Sequence, residues 1–250
     1  MTSKRLEAIG IKQVVRIEWY ELALDMLIAG EKPEEIRKQL DEFISERLQR
    51  GGYGERGEQT YTKAVSQVMK CWVTPAKDLT AFRNRALALA HDTAQRMPLH
   101  WAVTIAAYPF WFRVAAVVGR LLNLQDRVTQ GQIRQRCFET MGERSTVERS
   151  TRRTIRSFVA WGTLKDSEVK GAYEKAPAVS ISDLDSIAVL FEGVLHAMPE
   201  STGSLSWLVN NPAFFPFLIP MVAGDSVAQK NSGISIARYG LDDEYLLLNK

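Results

Sequence analysis

Apolar residues recur along the first part of this chain at spacings of three and four, the period of a helix with one buried face. Val15, Trp19, Leu22 and Met26 form the first stripe, which stops at Gly30. Pro33 stands where a first helical turn tolerates proline, and Glu34 and Glu35 follow at the positive end of the helix dipole. Ile36, Leu40, Phe43, Ile44 and Leu48 make a second stripe, and Tyr61, Val65, Val68, Met69 and Trp72 a third. After Thr74 and Pro75, Leu79, Phe82, Ala86 and Leu89 make a fourth. No strand-like alternation interrupts residues 1–100, so the pattern predicts a small helical bundle.

The pattern then changes. Pro98 to Trp111 reads as a buried connecting helix turned by Pro109, and Val114, Val117, Val118, Leu121 and Leu122 line the next helix. Thr129 with Gln132 fits a capping box that opens a helix through Met141, with Ile133, Cys137 (or Phe138) and Met141 facing inward. Gly142 supplies a tight turn. The segment from Glu143 to Gly162 reads as one amphipathic helix: Ser145 and Glu148 fit a capping box, and Gly162 a left-handed stop. Its buried stripe is Val147, Thr151, Ile155, Phe158 and Val159. Leu164 and Val169 to Tyr173 are expected to pair around Asp166 and Ser167 as a two-stranded wing.

Beyond Pro177, Ser180 or Ser182 is expected to cap a helix carrying Leu184, Ile187, Leu190, Val194 and Leu195. Ser204 caps a short one that stops at Asn210, Asn211 and Pro212, and Phe214 to Ile219 supplies a third apolar element. Alternation from Ile234 to Tyr239, a Gly240–Asp243 turn, then Tyr245 and Leu247 read as a hairpin. The expected fold is mainly α: a helical bundle over 1–108, a winged helix-turn-helix over 109–176, and C-terminal helices with a terminal β-hairpin over 177–250, a second winged-helix-like module.

Charge adds chemistry to one part of this outline. The chain carries 32 Lys and Arg against 29 Asp and Glu, a net +3, so it is not basic throughout. From Phe110 to Lys175, however, 13 Lys and Arg face 7 Asp and Glu. Arg149, Arg152, Arg153 and Arg156 recur at i, i+3, i+4 and i+7, opposite the buried stripe of their helix. A single-signed stripe on the third helix of a helix-turn-helix, followed by a lysine-edged hairpin, points to double-stranded DNA. Recognition helices reach base edges with their N-terminal residues, which assigns Arg144, Thr146 and Arg149 to bases. Arg152, Arg153 and Arg156 are then expected at phosphates, joined by Lys165 and Lys170 from the wing. The same face would also suit a protein-interaction adaptor with an acidic partner, or a transcriptional regulator, which would have to dimerise to read two half-sites.

Other chemistries find less support. Cys71 and Cys137 are too few for a disulfide framework or a cysteine-rich zinc site and suit a reducing cytoplasm. The first residues are followed by no apolar signal core. The longest apolar run, Trp101 to Leu124, contains Pro109, Arg113 and Arg120, and reads as buried helix rather than a membrane span. His91, His100 and His196 lack metal-ligand spacing, and Asp242 to Glu244 reads as a solvated turn. Tyr108, Phe110, Trp111 and Phe112 read as core between domains. The Arg50–Gly57 stretch matches neither phosphate-loop spacing nor the dinucleotide fingerprint and reads as a flexible loop. No nucleophile elbow, Walker lysine or catalytic carboxylate pair is evident, so neither enzymatic activity nor a cofactor or metal is expected.

Tyr108-Pro-Phe-Trp-Phe112, Gly119-Arg-Leu-Leu-Asn-Leu-Gln125, and Gly142-Glu-Arg-Ser-Thr146 running into Trp161-Gly162 resemble the BrxA family of bacterial BREX phage-defence systems. The likeness covers roughly the middle half of the chain. It implies a non-enzymatic helical-plus-wing protein that binds double-stranded DNA beside other defence-system proteins, with an N-terminal bundle similar to that of transcription antitermination factors. No catalytic residues carry across, and the C-terminal segment takes no part in the likeness.

Overall fold

A short α1 (Lys4–Glu7) precedes α2 (Ile17–Ile28), which ends as its sequence requires. Gly30 adopts φ 81°, and the N–H groups of Gly30 and Glu31 donate to the carbonyls of Leu27 and Met26 at 3.1 and 3.0 Å. Only glycine enters that left-handed region without strain. Pro33 opens α3 (Pro33–Arg50), and α4 (Glu58–Trp72), a 3-10 turn (Lys77–Leu79), α5 (Thr80–Leu89) and α6 (Arg96–Ala107) complete the bundle. The computed structural model describes residues 4–50, 58–91, 96–239 and 243–249, without the side chains of 47–50 and 58–61. The glycine-rich loop at 51–57, the turn residues 240–242, and the side chains of Leu48 and Tyr61 therefore lie outside the described residues.

The apolar run expected as one helix from Pro98 to Trp111 is divided. The helix stops at Tyr108, and Pro109 is the first residue of α7 (Pro109–Leu122), at 117° to α6. Proline cannot donate back into α6 but is pre-set for a first turn. Phe110 and Trp111 thus belong to α7 and are buried there. No single helix among the described residues is long and apolar enough to cross a membrane.

The next elements are β1 (Arg127–Thr129), α8 (Gln130–Met141), α9 (Ser145–Ala160), β2 (Leu164–Asp166) and β3 (Ala172–Lys175). Their antiparallel sheet runs in the order β1-β3-β2, Val128 facing Tyr173 and Lys165 facing Glu174. The Thr129–Gln132 capping box forms: Gln132 N–H donates to Thr129 Oγ1 at 3.2 Å, and Thr129 N–H to Gln132 Oε1 at 2.8 Å. The hairpin differs from expectation in register. Its turn is 167–171 rather than Asp166–Ser167, it closes at Gly171 (φ 77°), and Val169 stands exposed at its tip. The shift follows from the third strand, since β3 must satisfy β1 and β2 together.

The C-terminal part holds β4 (Val179–Ser180), α10 (Leu184–Ala197), β5 (Thr202–Ser204), α11 (Leu205–Val209), a 3-10 turn (Pro212–Phe214), β6 (Phe217–Leu218), α12 (Gly224–Lys230), β7 (Ile234–Tyr239) and β8 (Asp243–Leu248). The expected hairpin is β7–β8, joined by β5 in the order β5-β8-β7, while β4 and β6 pair in parallel. Ser204 caps α11, accepting from Trp207 N–H at 3.3 Å. Asp183, not Ser180 or Ser182, caps α10, accepting from Ser186 N–H at 2.8 Å. Phe214 to Ile219 forms no helix: Pro216 and Pro220 leave room only for the turn and a two-residue strand.

One aromatic core joins all three parts. Trp101 of α6 meets Trp111 of α7, Phe158 of α9 and Phe215 at ring-centre distances of 5.4, 5.3 and 5.8 Å. Its indole N–H donates to the Ala213 carbonyl at 3.2 Å. At Gly119 in α7 any Cβ would lie 1.8 Å from the Pro212 carbonyl oxygen, so α7 and the C-terminal turn touch backbone to backbone. Glu192 of α10 is fully buried, where Arg85 of α5 forks onto it and Asn231 donates at 2.8 Å.

Candidate nucleic-acid interface

Helix α9 is held by one face and free on the other. Val147, Thr151, Ile155 and Phe158 are buried as expected, together with Ser150, Thr154 and Ser157. Those polar residues are compatible with burial because the hydroxyls of Thr154 and Ser157 donate to carbonyls one turn back, at 2.9 Å each. The helix stops in a glycine motif: Gly162 has φ 71°, Gly162 N–H donates to Val159 O, and Thr163 N–H to Phe158 O. Its start departs from expectation. Arg144 is the N-cap, which puts Ser145 inside the first turn rather than at the cap; no side chain caps the helix, and Glu148 pairs with Arg134 of α8 at 3.1 Å.

The extended segment after α1 braces this helix. Val15 N–H donates to Ser157 Oγ at 3.0 Å. Three residues earlier, buried Gln67 of α4 accepts from the N–H groups of Lys12 and Gln13 and donates to the Gln13 carbonyl at 3.2 Å. Nothing in the hydrophobic pattern announces this brace, since its signal is a single buried glutamine whose partners lie more than fifty residues away.

The outer face carries the arginines. Arg144, Thr146, Arg149, Arg152 and Arg156 are exposed and Arg153 is half-buried. Arg144 bonds to the Met141 carbonyl at 2.9 Å and Arg149 Nε to the Ser145 carbonyl at 3.3 Å, and neither has a carboxylate partner among the described residues. Arg152 and Arg153 have no carboxylate partner among the described residues. Partial burial and the neighbouring Arg149 and Arg152 pull the Arg153 guanidinium below its ordinary pKa. Like charges this close raise the positive potential of this helix face.

Arg156 differs from its neighbours. Asp166 of β2 holds it at 2.5 Å; burial pulls its pKa down, the Asp166 contacts outweigh that, and the net shift is upward. Sequence spacing put Arg156 in the stripe but could not show that the wing supplies its counter-ion. Lys165 and Lys170 are both exposed, Lys165 opposite Glu174 in the sheet and Lys170 in the 167–171 turn. The fold thus gathers Arg144 to Arg153 on one helix face, ties Arg156 to the wing, and sets the two lysines on that wing.

Other candidate chemistry is engaged internally. His100 is buried, accepts from Trp72 Nε1 at 2.9 Å and lies 3.1 Å from Glu21, while His196 lies 3.5 Å from Glu192. Burial pushes the Cys71 thiol up to about 12 and the Cys137 thiol to about 11, far from the reactive range. No group of three His, Cys, Asp or Glu among the described residues could hold a metal ion. Comparison with protein-family models, with curated proteins and with solved structures returns no match.

Proposed function

We propose that this protein binds double-stranded DNA through residues 109–175 acting as a winged helix-turn-helix, with α9 as the recognition helix and the β2–β3 hairpin as the wing. The observation that carries the reading is the uncompensated run Arg149, Arg152 and Arg153 on the free face of α9. The succession α7-β1-α8-α9-β2-β3 and the sheet order β1-β3-β2 support it, because they set Lys165 on β2 and Lys170 in the turn of the hairpin that follows the helix. Arg144, Thr146 and Arg149 lie at the N-terminal end, where base edges are met, and Arg152 and Arg153 one turn on, where phosphates are met. Arg156 is assigned a secondary role, since an incoming phosphate must compete with Asp166. A non-enzymatic accessory role beside other phage-defence proteins is what the BrxA resemblance adds.

The test is binding of a fluorescently labelled duplex as salt is raised. Each neutralised phosphate contributes about 0.9 to the slope of log affinity against log salt. A slope of roughly 3–5, from the cations on this face, is expected. No duplex binding near physiological salt, with co-purification of an acidic protein instead, would favour the adaptor.

A further inference from the structure

One cavity lies away from α9, in the bundle. It encloses about 760 Å³, within the range of sites for nucleotide-sized ligands. Its floor is apolar, built from Ile9, Leu79, Ala107 and the packed edge of Tyr108. Its rim carries Lys12 from the extended segment, and Lys63 and Lys70 from α4. Lys63, Ser66, Gln67 and Lys70 follow at i, i+3, i+4 and i+7, so α4 turns one continuous face toward the opening.

The charge on this rim is one-sided. No acidic residue lines the cavity, and none of Lys12, Lys63 and Lys70 has an ion-pair partner among the described residues. Arg5, also on the wall, is occupied by Asp78 at 2.8 Å. Three ammonium groups thus stand at the rim of a half-open cleft with an apolar floor. A solvated lysine face needs no cavity, and a cavity that serves only as a packing defect needs no lysines. Lysine ammoniums act as point charges for phosphate, and the hydroxyls of Ser66 and Thr74 on the wall can meet a sugar.

We propose that this cavity is a binding site for a small phosphorylated ligand of the nucleoside di- or triphosphate class. The phosphates lie against Lys12, Lys63 and Lys70, and the nucleoside lies on the apolar floor. The site is independent of the DNA reading. It does share a strut with α9, because the segment from Lys12 to Val15 is bonded to Gln67 in the cavity wall at one end and to Ser157 at the other.

The experiment is isothermal titration of the full chain with ADP and GDP, alongside adenosine and inorganic pyrophosphate as fragments. One nucleotide is expected per chain, bound more tightly than either fragment. Lys63→Ala/Lys70→Ala, two exposed positions whose loss leaves the fold intact, should weaken binding by about tenfold or more. Lys12→Ala gives the same result from a different element. Arg152→Ala/Arg153→Ala should leave nucleotide binding within about twofold, which separates this site from α9. The proposal is overturned by the absence of nucleotide binding at millimolar concentration, or by binding that the lysine variants leave unchanged. Binding lost with the arginine variant instead, or pyrophosphate binding as tight as ADP, overturns it equally.

Discussion

Residues 109–175 run helix, strand, helix, helix and two strands, and residues 184–248 follow that succession except that a 3-10 turn and the short β6 stand between α11 and α12. In both sheets the last strand lies between the other two, β1-β3-β2 in one and β5-β8-β7 in the other. What stands in the third-helix place differs. In the middle part it is α9, sixteen residues with four arginines on its free face. In the C-terminal part it is α12, seven residues, whose start is closed by the Glu244 carboxylate accepting from Gly224 N–H at 2.9 Å. The cations around α12 are neutralised too: Lys230 pairs with Asp185 at 3.3 Å, and Arg238 with both Asp225 and Glu244. Similar sheets thus stand beside a face where only Arg156 of the four helix arginines has a carboxylate partner among the described residues in one case, and beside an internally balanced one in the other. The proposed DNA binding therefore rests on the charge arrangement rather than on the succession of elements.

The largest effect expected from breaking this contrast is structural. The C-terminal part uses charge inward, at buried Glu192 with Arg85 and Asn231. Glu192→Ala leaves half-buried Arg85 and buried Asn231 without their shared acceptor and should cost roughly 3 kcal/mol in urea unfolding. Arg152→Ala/Arg153→Ala, on the outward-facing helix, should change stability by less than about 0.5 kcal/mol. A large loss in the second and none in the first would reverse the assignment of the two charge systems.

The same carboxylate gives a pH prediction. Burial pushes the Glu192 pKa up, but hydrogen bonds from His196, Arg85 and Asn231 outweigh it and hold the group below its ordinary value. A depressed folded pKa contributes stability above the unfolded pKa and loses it as pH falls through the folded one. Acidifying through the carboxylate range should therefore destabilise the parent, and Glu192→Gln should flatten that slope in thermal melts.

A smaller loss is expected at the seam between the two parts. Gly119→Ala forces a Cβ against the Pro212 backbone, and overpacking of this kind costs about 1–3 kcal/mol. The middle and C-terminal parts should lose stability together, since α7 and the Pro212–Phe214 turn share this contact.

Two substitutions sharpen the contrast at the level of binding. Asp166→Asn releases Arg156 and should tighten duplex binding by about three- to tenfold at low salt, as one added phosphate contact would. In the C-terminal part, Lys230→Ala/Arg238→Ala should change duplex affinity by less than about twofold, because those charges are already satisfied. A clear loss there would mean that the second sheet also meets DNA.

Much of this contrast was legible in the sequence, and the remainder has physical reasons for having been hidden. Gly30, Pro33, Gly162 and the Thr129–Gln132 box mark their helix ends because each acts through local backbone chemistry. Ser145 with Glu148 is the same kind of signal, yet it fails because the helix starts one residue earlier, with Arg144 at the cap, and Glu148 pairs with Arg134 from another helix. The caps at Ser180 or Ser182 lost to Asp183, which is just as competent and sits one turn before the first buried residues. Strands β1 and β5 have three residues each, too few for alternation to register, and they exist only because β3 and β8 offer an edge. Helix α12, short, polar and starting at glycine, left no apolar stripe to find. For the candidate site, spacing revealed the arginine stripe, while the counter-ion at Asp166 and the brace through Val15 depended on residues distant in the chain.

The central claim is that Arg152 and Arg153 on α9 bear duplex phosphates. It is tested most directly by comparing the salt dependence of duplex binding in the parent and in Arg152→Ala/Arg153→Ala. Two lost phosphate contacts predict weaker binding at low salt and a slope lower by about 1.8. Equal affinity for the duplex at every salt concentration would contradict the claim.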